Sequence, residues 1–135
     1  MKLFGVGTDI IQVNRLKKSL KNKLFLSRIF SEEEITRCKK TKKNSNCFAK
    51  RFAAKEAFSK ALGTGISNGI NFKEIIVLNE KSGKPYIKLT DKTKKVVEKK
   101  LKKKNFKVSL SIADEKDYAV AFVTISIWKI RLRIL

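Results

Sequence analysis

The chain has 135 residues, 42% of them hydrophobic, which is enough for one core and too little for two ordinary domains, so residues 1–135 are read as a single domain. Its 33 Lys+Arg against 12 Asp+Glu give a net charge of +21, which favours polyanionic partners such as nucleic acid, acidic proteins or phosphorylated small molecules; a solvated lysine coat with no ligand is the plain alternative. Two cysteines and no histidine exclude a four-ligand zinc site and a Cys–His nucleophile pair.

In chain order, KLFGVGT (2–8) predicts a short strand ending near Thr8 or Asp9, with a helix over 10–21. The opening MKLFGVGTDI reaches glycines and an aspartate too soon for a signal peptide, and no stretch of about 18 apolar residues follows, so the expected location is cytoplasmic. In that compartment Cys38 and Cys47 are expected to be free, reduced thiols. FLSRIF (25–30) reads as an apolar linker. Ser31 and Glu34 have capping-box spacing, which predicts a helix over SEEEITRCKK that frays in TKKNSN. Ser45 or Asn46 would cap a long helix over 47–62, and Gly63 stands where a left-handed C-cap residue belongs.

EIIVLN (74–79), the turn EKSGK and PYIKL (85–89) predict a β-hairpin with Gly83 in the turn and Pro85 opening its strand. Residues 91–104 predict a basic surface helix whose narrow apolar stripe carries Val97 and Leu101. VSLSIA and YAVAFVTISIW alternate about the turn DEKD and predict a second hairpin. The final IWKIRLRIL has no assigned structure.

The helix 47–62 has an unusual wheel. Phe52, Glu56, Ala49, Lys60 and Ala53 fall within an arc of about 100°, so two charges sit in an apolar sector, while the other apolar residues spread over the opposite side. A plain Glu-to-Lys i,i+4 pair is one explanation and stabilises a helix by only about 0.2–0.5 kcal/mol. A ligand site is the other, because buried charges need partners. Asp9 follows the small residues of G-V-G-T-D, which leave space for a ligand; as a plain structural element it would be an N-cap. Two carboxylates from separate elements make an oxygen site suited to Mg²⁺ with substrate phosphate. Lys55 and Lys60 would neutralise phosphate oxygens, and the G-T-G turn at 63–65 would let a ligand approach the backbone.

G-T-D-I-I-Q-V-N-R (7–15) resembles the G-x-D-x5-R signature of the small 4′-phosphopantetheinyl transferases, and F-A-A-K-E-A-F-S-K (52–60) resembles their K-E-A-x-x-K signature. A-L-G-T-G-I continues the likeness, as does G-K-P at 83–85, so that it runs from Gly5 to about Val123. The resemblance implies an α+β fold of the 4′-phosphopantetheinyl transferase type, with the long central helix packed on an antiparallel sheet. It implies transfer of 4′-phosphopantetheine from coenzyme A to a serine of apo-acyl carrier protein, releasing adenosine 3′,5′-bisphosphate, in fatty acid biosynthesis. Asp9 and Glu56 match the acids that hold Mg²⁺, and Lys60 matches the lysine that assists at the phosphate. Glu56 would act on the serine proton directly or through a metal-bound water.

On the coenzyme side the likeness implicates Lys55, Lys60, Gly63, Gly65, Lys84, Pro85, Ser111 and Asp114. S-I-A-D (111–114) stands at the family's late strand motif with Ala113 replacing a hydroxyl residue; an ordinary strand end and turn is the plain alternative there. Arg15 matches a basic carrier-protein contact, and Lys18 is assigned beside it. The resemblance also implies a homotrimer with sites between subunits, with neither membrane nor nucleic acid as partner. Three other readings compete with it: a basic nucleic-acid-binding, ribosome-associated module motivated by the charge; a broad-specificity transferase, disfavoured by the chain's length; and an inactive family member, opposed by the intact Asp9, Glu56 and Lys60.

Overall fold

The structure, a computed structural model, describes residues 1–63 and 70–128. Among the described residues two antiparallel sheets and five α-helices give the expected α+β architecture. A three-stranded sheet runs β1 (Lys2–Gln12), β5 (Tyr118–Ile127), β4 (Phe106–Glu115) in spatial order, and a separate hairpin pairs β2 (Ile75–Asn79) with β3 (Pro85–Leu89). The helices are α1 (Val13–Ser19), α2 (Lys23–Ile29), α3 (Glu32–Lys39), α4 (Asn44–Leu62) and α5 (Asp91–Leu101). Both predicted hairpins form, with Gly83 at φ 94° and Pro85 opening β3 opposite Asn79. Val97 and Leu101 are the buried stripe of α5.

Helix α4 lies across the inner face of the three-stranded sheet, and β1 approaches it backbone to backbone. From Gly5 to Ile11 the odd-numbered residues of β1 face inward, and a Cβ at Gly5 would collide with the carbonyl of Ala61. A Cβ at Gly7 would collide with the Ala57 carbonyl and sit 2.6 Å from the Ala61 nitrogen. The glycines therefore make room for a helix, where the sequence had suggested room for a ligand. Two strand residues advance about 6.6 Å and four helix residues about 6 Å. The register Gly5–Ala61, Gly7–Ala57 consequently carries on, and the next inward residue, Asp9, emerges beside the flank of α4 that holds Glu56 and Lys60.

The other side of α4 is fastened by a buried ion pair. Lys55 and Glu34 are both fully buried; Lys55 Nζ donates to Glu34 Oε1 at 2.7 Å, to Phe72 O at 2.8 Å and to Ile75 O. Glu34 also accepts from the backbone N–H groups of Ser31 (3.0 Å) and Val77 (3.1 Å). The capping box of α3 is thus also the anchor that ties α3, α4 and β2 together. Burial lowers the Lys55 ammonium to about 8, with Glu34 pulling the other way.

Several boundaries differ from the sequence reading. β1 continues to Gln12 because its pairing with β5 runs on to Gln12–Tyr118, which shortens the expected 10–21 helix to α1. The apolar linker is a helix, α2, capped by Asn22, whose side chain accepts from Leu24 N and Phe25 N. Helix α4 starts at Asn44 after Lys43, with neither Ser45 nor Asn46 as its cap, and ends at Gly63 with φ 86° as expected. Cys38 and Cys47 are not free thiols: they form a disulfide with Cα atoms 5.4 Å apart, because α3 and α4 are packed side by side across the intervening loop.

Gly7→Ala is expected to lower stability by about 1–3 kcal/mol or more through overpacking against α4, read from the urea midpoint at unchanged slope. Lys55→Met leaves Glu34 buried without its partner and is expected to cost about 3–5 kcal/mol; the double change Lys55→Met/Glu34→Leu should recover part of that loss.

Candidate active site

Asp9, Glu56, Lys60 and Arg15 line one cavity of about 470 Å³, walled on its apolar side by Ile11, Phe25 and Phe52. Asp9 comes from β1, Arg15 from α1, Phe25 from α2, and Glu56 and Lys60 from α4. Lys60 Nζ donates to Asp9 Oδ1 at 3.1 Å and to Thr8 O at 3.0 Å, which holds the ammonium at the rim; its side chain is 55% exposed, that of Asp9 18%. Glu56 is half-buried. Its carboxyl is raised above the usual range, first by burial and then by the charge of Asp9, with Lys60 opposing.

The two charges on α4 are thus not enclosed in an apolar sector as the helical wheel implied; that sector opens onto the cavity. Two mutually repelling carboxylates from separate elements, with open space beside them, fit a divalent cation that keeps some water and takes further oxygens from substrate phosphate. Among the described residues no cluster of three or more Cys, Asp or Glu side chains is placed to hold a metal on its own.

The remaining predicted residues lie elsewhere. Lys55 is a correction: all three of its N–H groups are spent inside the core, so it has none to offer a phosphate. Glu56 is the very next residue, and the 100° step of the helix sends the two to different surroundings. Gly63 caps α4 directly after Leu62, donating its N–H to the carbonyls of Ser59 and Lys60; Gly65 lies outside the described residues.

Lys84 and Pro85 sit at the β2–β3 turn, which Asn79 braces by donating to Gly83 O while accepting from Arg51 of α4 at 2.7 Å. Ser111 is exposed on the outer face of the sheet, opposite to Asp9. Asp114 accepts from Asn46 Nδ2 at 2.9 Å and pairs with Lys50 Nζ at 3.5 Å near the start of α4. Lys18 is exposed on α1 and does not line the cavity, unlike Arg15. Phe25 was missed in sequence because α2 was read as linker; the Asn22 cap was the available signal.

Residues 5–123 match the family model of the 4′-phosphopantetheinyl transferase superfamily. The chain is 52% identical over 123 residues to a holo-[acyl-carrier-protein] synthase of Pelagibacter ubique, covering 91% of this chain and 96% of that one. Among solved structures, the Neisseria meningitidis holo-[acyl-carrier-protein] synthase superposes with a TM-score of 0.82 at 37% identity, over 92% of this chain and 98% of the other. That of Bacillus anthracis, solved in complex with CoA (3′,5′-ADP), superposes with a TM-score of 0.76 at 37% identity, over 93% and 98%.

Because Glu56 titrates above its ordinary value of 4.5 in the fold, its ionised form opposes folding: its contribution is favourable below that value and lost as pH rises through the folded pKa. In metal-free buffer Glu56→Gln is therefore expected to raise Tm at pH 7 and to leave it unchanged well below pH 4.5. Added Mg²⁺ should raise the Tm of the unsubstituted protein and not that of the variant.

Proposed function

The chain belongs to the 4′-phosphopantetheinyl transferase superfamily, and from that premise we propose how its own residues carry the reaction. It transfers the 4′-phosphopantetheine group from coenzyme A to a serine of apo-acyl carrier protein, giving holo-acyl carrier protein and adenosine 3′,5′-bisphosphate. The observation that carries the residue assignment is the convergence of Asp9, Glu56 and Lys60 on one cavity, from two elements held in register by the Gly5 and Gly7 contacts with α4.

Transfer of this kind depends on positioning and on neutralising phosphate charge. Asp9 and Glu56 would hold Mg²⁺, which when bound supplies neutralisation of the pyrophosphate. Lys60 uses two of its three N–H donors to fix Asp9 and the β1 backbone; the third is available to a phosphate oxygen at the cavity mouth. Glu56 would take the proton from the attacking serine hydroxyl, directly or through a bound water. Ile11, Phe25 and Phe52 give the cavity a dry wall, which strengthens every charge interaction opposite them.

Arg15 at the rim and exposed Lys18 on the same helix would steer an acidic carrier protein. The outer face of the three-stranded sheet exposes Val6, Ile10, Val120 and Phe122, an apolar surface suited to a second copy of this chain. Trimerisation through it would bring Ser111, which stands on the same face, toward a neighbouring subunit. Lys84, Pro85, Gly63, Gly65 and Asp114 remain coenzyme-binding candidates on this reading. Among the described residues no helix is long and apolar enough to cross a membrane. A role in fatty acid biosynthesis and a cytoplasmic location complete the proposal; the Cys38–Cys47 bond is the feature that runs against that location, since disulfides are rare there. The nucleic-acid alternative finds no support in any relative above.

The test is mass spectrometry of apo-acyl carrier protein incubated with this protein, coenzyme A and Mg²⁺. A gain of one phosphopantetheine mass is expected, abolished by Asp9→Ala and Glu56→Ala and slowed about 10²-fold or more by Lys60→Met. No gain under any metal would overturn the reaction; a gain undiminished in all three variants would overturn the residue assignment.

A further inference from the structure

We propose that the groove between β3 and β4 is a second ligand site, which takes a single acyl chain ending in a phosphate or carboxylate. β3 and β4 are both edge strands of separate sheets and share no backbone ladder. The gap between them is a groove of about 750 Å³, within the range of about 300–1,000 Å³ common to small-molecule sites. Its apolar lining is Ile87, Leu89, Phe106, Val108 and Trp128. Trp128, although large and aromatic, is 45% exposed.

Its polar lining is one-sided. Lys94 from α5 and Lys104, delivered by the left-handed turn at Lys102 (φ 55°), stand with Asn105 at the groove, and no acidic side chain lines it among the described residues. Lys99, Lys100 and Lys103 add to the same positive field from α5 and its end. An apolar trough flanked by two ammonium groups complements a ligand with one long apolar body and one anionic head. A nucleic acid would use the lysines and leave the trough empty.

The groove shares no residue with the Asp9–Glu56 cavity. Strand order separates them too: the cavity is built on β1, the groove on β4, and β5 runs between. The ligand is a monomeric amphiphile free in solution, distinct from a lipid held in a bilayer.

Trp128 is the chain's single tryptophan, so its emission reports the groove directly. Titration of the full-length protein with dodecyl phosphate below its micelle concentration is expected to give a saturable blue shift. Dodecanol, which lacks the anion, should bind at least about tenfold more weakly, as should dodecyl phosphate to Lys94→Glu/Lys104→Glu. That variant should keep full transferase activity, which separates loss of the groove from loss of the fold or of the carboxylate site. Equal binding of dodecanol, unchanged affinity in the double variant, or a shift seen only with phosphatidylglycerol vesicles or only with oligothymidylate would each overturn the proposal.

Discussion

The contact between the β1 backbone and helix α4 governs the rest of the molecule. Gly5 and Gly7 meet Ala61 and Ala57 with no side chain between them, and the rise of two strand residues nearly equals that of four helix residues. That match lets the strand and helix stay in step for three inward positions. The first two are glycines filled by the helix; the third is Asp9, carried past the flank of α4 and delivered to Lys60. Any side chain on the glycines would move α4 outward and open the carboxylate site with it.

The opposite side of α4 is held by a different interaction. Lys55 and Glu34 take each other's charge out of water with the help of the backbone, which accepts the other two Lys55 donors at Phe72 and Ile75 and donates to both Glu34 oxygens from Ser31 and Val77. The pair converts the cap of α3 into a junction for α4 and the β2–β3 hairpin. One α-helix thus carries a structural lysine and, at the next residue, a half-exposed carboxylate in a reactive setting. Rotation of 100° per residue suffices to separate a core from a cavity.

These two fastenings also explain why the sheets remain apart. Arg51, reaching from α4 to Asn79, holds the hairpin by its turn, while the end of β3 stands against the edge of β4 without pairing. The trough between them keeps its apolar floor because the inward residues of β4 continue the main core. Two cavities therefore arise at the margins of the sheet, one carrying Asp9 and Glu56 and bounded by α4, the other carrying Lys94 and Lys104 and bounded by α5.

Much of this was legible in the sequence, for local reasons. Turn glycines and Pro85 marked the first hairpin, strict alternation marked the second, Ser31 and Glu34 announced their capping box, and the family resemblance singled out Asp9, Glu56 and Lys60, which line one cavity. What the tertiary structure alone decided depended on contacts distant in the chain. Pairing with β5 extended β1 to Gln12; packing of α3 on α4 joined Cys38 to Cys47; burial against Glu34 removed Lys55 from the phosphate side; and helix contact, with no ligand involved, accounted for Gly5 and Gly7. Spacing along a chain records which face of an element a residue occupies, and only the neighbours packed on that face determine whether it meets solvent, core or substrate.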